Sequence, residues 1–191
     1  MTTERIRRAL AELAEAATAM EAQSGAVLAM ARRYAATLRA GGTLWFAGNG
    51  GSAATAQHLA TEYSVRYQKD RPPLRAVALT TDGSALTAIG NDLGFERIFA
   101  RQVEALARPG DLVILHSTSG RSPDLLHAAS AARKVGAGVV AMLGGSDGGG
   151  PLARMVDQAL VVPAVTTSRI QELQLAIEHL IVELVEEELG L

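Results

Sequence analysis

The chain of 191 residues is 48% hydrophobic, 20% charged and only 4% aromatic, enough apolar material for one core and incompatible with disorder along its whole length. Its 18 basic and 20 acidic residues leave a formal net charge of −2, too little positive charge for an electrostatic nucleic-acid binder. Cysteine is absent, which excludes disulfides, cysteine-ligated zinc, iron–sulfur centres and thiol nucleophiles together. No continuous apolar stretch approaches about 18 residues, so no transmembrane helix and no membrane partner are expected. Glu12 and Glu15 interrupt any leader-like segment, and the expectation is a soluble, cytoplasmic chain of one domain spanning 1–191.

Residues 3 to about 40 read as a helical arm. Ile6, Leu10, Leu13, Ala17 and Met20 recur at four- and three-residue spacings, one stripe of an α-helix. Gly25 is the expected break, and Gly41-Gly42 the end. Two uses of the stripe stand side by side: packing on its own domain, or forming a subunit interface.

From 43 to 191 the chain alternates short apolar runs with helical segments. Strands are expected at Thr43–Ala47, Arg75–Leu79, Asp111–His116, Ala137–Leu143 and Gln158–Val162. Helices are expected from Ser52 to about Tyr63, Glu96 to Ala107, Pro123 to Lys134 and Ser168 to Leu189. This alternation predicts an α/β fold: a doubly wound, mostly parallel five-stranded sheet flanked by helices. Ligands of such sheets bind outside the carboxyl ends of the strands.

Two loops stand at those ends. Gly48-Asn49-Gly50-Gly51-Ser52 joins a strand to a helix, where glycine lets an anion approach the backbone and the helix start offers free N–H groups. It lacks the Lys-Ser/Thr ending of a Walker A loop. It matches Gly-x-Gly-x-x-Ala through Gly48, Gly50 and Ala53, but no acid stands at a strand end roughly 20 residues on, as dinucleotide binding requires. A phosphate monoester is the better fit. The second loop, Ser117-Thr118-Ser119-Gly120-Arg121-Ser122-Pro123, sets four hydroxyls before a helix that starts with proline. An ordinary turn with Ser122 as N-cap explains that loop alone; two serine-bearing loops of this kind favour a phosphorylated small molecule.

His58 and Glu62 lie four apart on one helix face, a spacing that suits a solvated ion pair, a divalent metal, or a base with its partner. Gln171 and His179 share a face of the last helix about two turns apart, with Leu173, Ile177, Leu180 and Leu184 expected toward the core. A sugar isomerase needs a carboxylate to move a proton beside a carbonyl and an acid–base group to serve the enediol oxygens. Glu62 and His179 suit those roles if the fold joins them.

Several ordered segments resemble the sedoheptulose 7-phosphate (phosphoheptose) isomerases of the sugar isomerase domain family. They are 48–58, Ala78-Leu79-Thr80-Thr81-Asp82, 86–95, 99–104, 117–123 and Arg169-Ile170-Gln171-Glu172. The resemblance implies conversion of sedoheptulose 7-phosphate to D-glycero-D-manno-heptose 7-phosphate through a cis-enediol, in a homotetramer with sites between subunits. It implies Glu62 as base and His179 as acid–base partner. A zinc ion would be held by His58, Glu62, Gln171 and His179. Sugar-phosphate contacts would come from Asn49, Gly50, Gly51, Ser52, Ser117, Thr118, Ser119, Ser122 and Gln171, with Arg66, Asn91 and Asp92 in or near the pocket.

Thr55, Val65, His116 and Gln174 depart from the family's usual Asp, Gly, aliphatic residue and His. A non-catalytic adaptor of the replication-initiator-associating type, or a sugar-phosphate sensor, is the alternative reading. Retention of His179 favours the enzyme over the adaptor.

Overall fold

A computed structural model describes residues 2–191. Five parallel strands form one sheet: β1 (Leu44–Gly48), β2 (Ala76–Ala78), β3 (Leu112–His116), β4 (Gly138–Gly144) and β5 (Gln158–Val162), in the order β2-β1-β3-β4-β5. Every strand residue of β1 and β3 is buried, as expected where helices cover both faces of a parallel sheet.

Because successive strand residues face opposite ways, β1, β3 and β4 each feed two cores. Leu44, Phe46, Leu112, Ile114, Val140 and Met142 pack with helices α2 (Ser24–Arg39), α3 (Gly51–Ser64) and α7 (Thr167–Leu189). Trp45, Ala47, Val113, Leu115, Val139 and Ala141 pack with α5 (Ala100–Leu106) and α6 (Pro123–Lys134) on the other side. Asp111 fastens the two central strands at their amino ends, its carboxylate accepting from Thr43 N, Trp45 Nε1 and Arg108 N at 2.8–2.9 Å.

The predicted fold and all five strands are present, with ends shifted by one residue or none. The arm divides differently from expectation. Helix α1 (Thr3–Ala19) ends in a 3₁₀ turn at Met20–Gln23, and Gly25 lies inside α2. The Gln23 carboxamide explains the interruption, since its Nε2 reaches the carbonyl of Val161 on β5 at 2.7 Å. Of the predicted stripe, Leu13 and Met20 join the core, Ala17 is exposed with Ala16 buried in its place, and Ile6 and Leu10 stand 63% and 60% exposed.

Helix α4 (Gly83–Asp92) has no counterpart in the predicted elements. Its two glycines and absence of buried residues conceal it, although Asp82 caps it by accepting from Ala85 N at 2.9 Å. The helix expected from Glu96 is a 3₁₀ turn at Phe95–Arg97 followed by the shorter α5. Leu180, expected in the core, is 52% exposed, and Ile181 and Val182 are buried in its place. No helix among the described residues is long and apolar enough to cross a membrane.

Candidate active site

The strand order reverses direction between β1 and β3, which lie side by side with Gly48 paired to His116. This is the crevice where open α/β sheets bind ligands, and both loops singled out in the sequence open from it. They are tied together: Asn49 Nδ2 donates to Asp124 Oδ2 on the first turn of α6 at 2.8 Å. Burial raises the Asp124 carboxyl above its ordinary pKa, against the lowering effect of the Asn49 bond.

Ser117 folds the second loop by accepting from Gly120 N at 2.9 Å, and Ser119 accepts from Arg121 N at 3.3 Å. Gly120 has φ +60°, and a Cβ there would overlap the carbonyl oxygen of Gly149. The loop therefore nests against 148–150, and Leu152 N donates to Gly120 O at 3.0 Å. Ser52 and Ser117 are buried, Thr118 and Ser122 half-buried, and Ser119 exposed. A cleft of about 370 Å³ beside the first loop is lined by residues including Asn49, Gly50, Thr80, Thr87 and Phe95. A second depression joins Asn49 and Phe95 to Ser122 and Asp124.

On the opposite face of the sheet, α3 and α7 bring three titratable side chains together. His58 Nε2 stands 2.9 Å from His179 Nε2 and 3.3 Å from Glu62 Oε1. These donor atoms all lie within 4.8 Å of one another. The Tyr67 ring stacks on His179 with centroids 5.6 Å apart. Two imidazole Nε2 atoms so close either share a proton or turn their lone pairs toward one cation, and two nitrogens plus a carboxylate oxygen form a donor set suited to zinc.

Gln171 lies at another point of the same groove. Its carboxamide rests against Gly51, where a Cβ would stand 2.7 Å from Oε1. That contact lies seven residues, about 10 Å of helix, before His58. Arg66 is exposed and pairs with Asp70 at 2.9 Å. Asn91 and Asp92 are exposed at the end of α4, with Asn91 Nδ2 donating to Asp92 Oδ1 at 2.7 Å. These three residues are not drawn into the His58–Glu62–His179 cluster.

Sequence reasoning did not reach Asp124, Tyr67 or Glu178. Their partners come from 75, 112 and 62 residues away, distances at which spacing carries no signal.

The SIS domain family profile matches residues 8–144. A phosphoheptose isomerase from Roseiflexus is 51% identical over 167 residues, 87% of this chain and 84% of that protein. This chain belongs to the phosphoheptose isomerase family. Another member, from Akkermansia muciniphila, is 43% identical across 98% of both chains. Among solved structures, the phosphoheptose isomerase GmhA of Neisseria gonorrhoeae superposes with a TM-score of 0.89 at 39% identity, covering 96% of this chain and 98% of its own. The corresponding enzyme of Francisella tularensis gives the same TM-score at 34% identity, covering 98% and 100%. Family membership thus extends over the helical arm, both loops and the α3–α7 groove.

Proposed function

We propose that the protein is an aldose–ketose isomerase that converts sedoheptulose 7-phosphate to D-glycero-D-manno-heptose 7-phosphate. The observation that carries this reading is the meeting of Glu62 and His179, through His58, in the α3–α7 groove, on the helix that starts from the first of the two hydroxyl-rich loops. Ser52, Ser117, Thr118, Ser119 and Ser122 bind the phosphate with the backbone N–H groups at the starts of α3 and α6. A chain with net charge −2 holds the anion by hydroxyls and helix ends rather than by a basic patch.

With the phosphate anchored, the open-chain sugar extends toward Glu62. The carboxylate takes a proton from C1 and returns it to C2, passing through a cis-enediol. His179 moves a proton between O1 and O2, so no proton is gained or lost overall. Asn49, Gly50, Gly51 and Gln171 contact the sugar, while Arg66, Asn91 and Asp92, exposed and outside the cluster in this chain, would reach a sugar only where a neighbouring subunit brings one to them. His58, Glu62 and His179 would hold one zinc ion per chain; Gln171, expected as a fourth ligand, instead rests its carboxamide against Gly51, away from these three in this chain. Bound there, zinc supplies Lewis-acid stabilisation of negative charge on the sugar oxygens.

Residues 1–191 act as one SIS domain, and the arm serves as an oligomer interface. The bare Ile6 and Leu10 support the arm as an interface surface, and a homotetramer with neighbours completing each site is the arrangement proposed. A cytoplasmic location accords with a doubly charged sugar phosphate as substrate.

The test incubates zinc-loaded protein with sedoheptulose 7-phosphate and follows aldose signals by NMR. Wild type produces them, and Glu62→Gln lowers turnover by about 10²- to 10⁴-fold. Equal turnover by both removes Glu62 as the base. Sugar phosphate bound without conversion replaces the enzyme with a sensor.

A further inference from the structure

The last turn of α3 carries Glu62, and its end is closed by an arginine from outside the helix. A helix leaves its final carbonyls without intrahelical donors, and α3 has no basic residue in its last turn. Arg71 supplies them. Its Nη2 donates to Glu62 O at 2.6 Å, and its Nη1 to Tyr63 O at 2.9 Å and Pro72 O at 3.2 Å. Its Nε donates to Glu186 Oε1 on α7 at 2.6 Å. The guanidinium and carboxylate are 1% and 6% exposed, so this is an interior junction rather than a surface ion pair.

Glu186 lies seven residues after His179, two turns along the same face of α7. One side chain therefore bonds the backbone of Glu62 and the helix that carries His179. The planar five-donor fork of arginine can do this, and the three donors of a lysine ammonium cannot reproduce the geometry.

We infer that Arg71 is a positioning residue for the isomerase: it fixes the end of α3 against α7 and so sets the separation of Glu62 from His58 and His179. This rests on the reading of Glu62 as base. Without the clamp the last turn frays, Glu62 samples more orientations, and the two loops read as phosphate-binding, one at the start of α3 and the other at the start of α6, are untouched. The expected signature is a lower kcat at nearly constant KM.

Three variants test it in the full chain: Arg71→Met, Arg71→Lys and the pair Arg71→Met/Glu186→Met. The single Met variant leaves a buried carboxylate unpaired and is the one at risk of misfolding. The double variant removes both charges and keeps the fold, while Arg71→Lys keeps a cation opposite Glu186. In the double and lysine variants kcat falls by roughly 10- to 100-fold, the scale of a misplaced catalytic group, with KM within about twofold of wild type. Amide exchange at Val65, whose N–H bonds Thr61 O at 2.9 Å, accelerates by about tenfold or more, while the amides of α7 around Ile177 keep their protection.

A folded double variant with wild-type kcat and unchanged Val65 exchange overturns the proposal. So does a loss confined to melting temperature. Glu62→Gln, run in parallel, separates the two readings: if it stays active, the base assignment has failed, whereas an inactive Glu62→Gln with fully active clamp variants removes the clamp alone.

Discussion

Replacing His116 with leucine is expected to destabilise the protein by an amount its surroundings define. His116 ends β3, fully buried, with its ring stacked on Phe46 at 6.2 Å. Its Nε2–H donates to Glu178 Oε1 at 3.0 Å, an oxygen that also accepts from Tyr34 OH at 3.1 Å. Glu178 is 0% exposed, and its second oxygen has no hydrogen-bond partner among the described residues. His116→Leu conserves bulk and leaves a buried carboxylate with one phenolic donor. Breaking a buried pair in this way costs about 3–5 kcal/mol. At roughly 2–4 °C per kcal/mol for a chain of this size, calorimetry should record a melting temperature about 6–20 °C lower, with a matching shift of the urea midpoint. His116→Leu/Glu178→Met removes both polar groups and should recover most of the loss. A single variant within about 1 kcal/mol of wild type, or a double variant no better than the single, would refute the claim that the pair matters as a pair.

Three further outcomes are expected. Burial first, and the Glu178 charge second, push the Tyr34 and Tyr63 hydroxyls well above their ordinary value of 10.0. Stability from these groups is therefore intact below pH 10 and falls above it, where the unfolded chain ionises first; tyrosinate absorbance near 295 nm from these two should appear only with loss of near-ultraviolet dichroism, and reversible ionisation in the folded state would contradict this. Gly120→Ala pushes the 117–123 loop off 148–150, so if that loop binds the phosphate as proposed, KM for the sugar phosphate should rise about tenfold or more; an unchanged KM would mean that the loop does not hold the phosphate. Zinc added at about 100 times its dissociation constant should stabilise chelator-stripped protein by about 2.7 kcal/mol, and calorimetric titration should lose that binding in His179→Ala; retention of tight binding there would relocate the metal.

Much of the site was readable because its parts are local. Gly48–Ser52 and Ser117–Pro123 announce themselves as turns into helices, and an i,i+4 His–Glu pair shares a helix face whatever the fold. The Gln174 carboxamide, by contrast, bonds Met142 O at 2.9 Å and Ser117 O at 3.3 Å; its neighbours in sequence reveal neither contact. Helix α4 escaped because its apolar residues, Leu86 and Ile89, are only half-buried and it carries glycine at 83 and 90.

The chain on its own determined the alternation of buried runs with helices, the absence of any cysteine donor, and a near-neutral net charge of −2. These follow from residue type and short-range periodicity. Only the tertiary structure decided that His179 stands 2.9 Å from His58, that Arg71 closes the helix bearing Glu62, and that half the arm's apolar stripe is left bare. Each depends on which faces of distant helices meet across the sheet, and that is settled by packing of the whole core rather than by any local spacing.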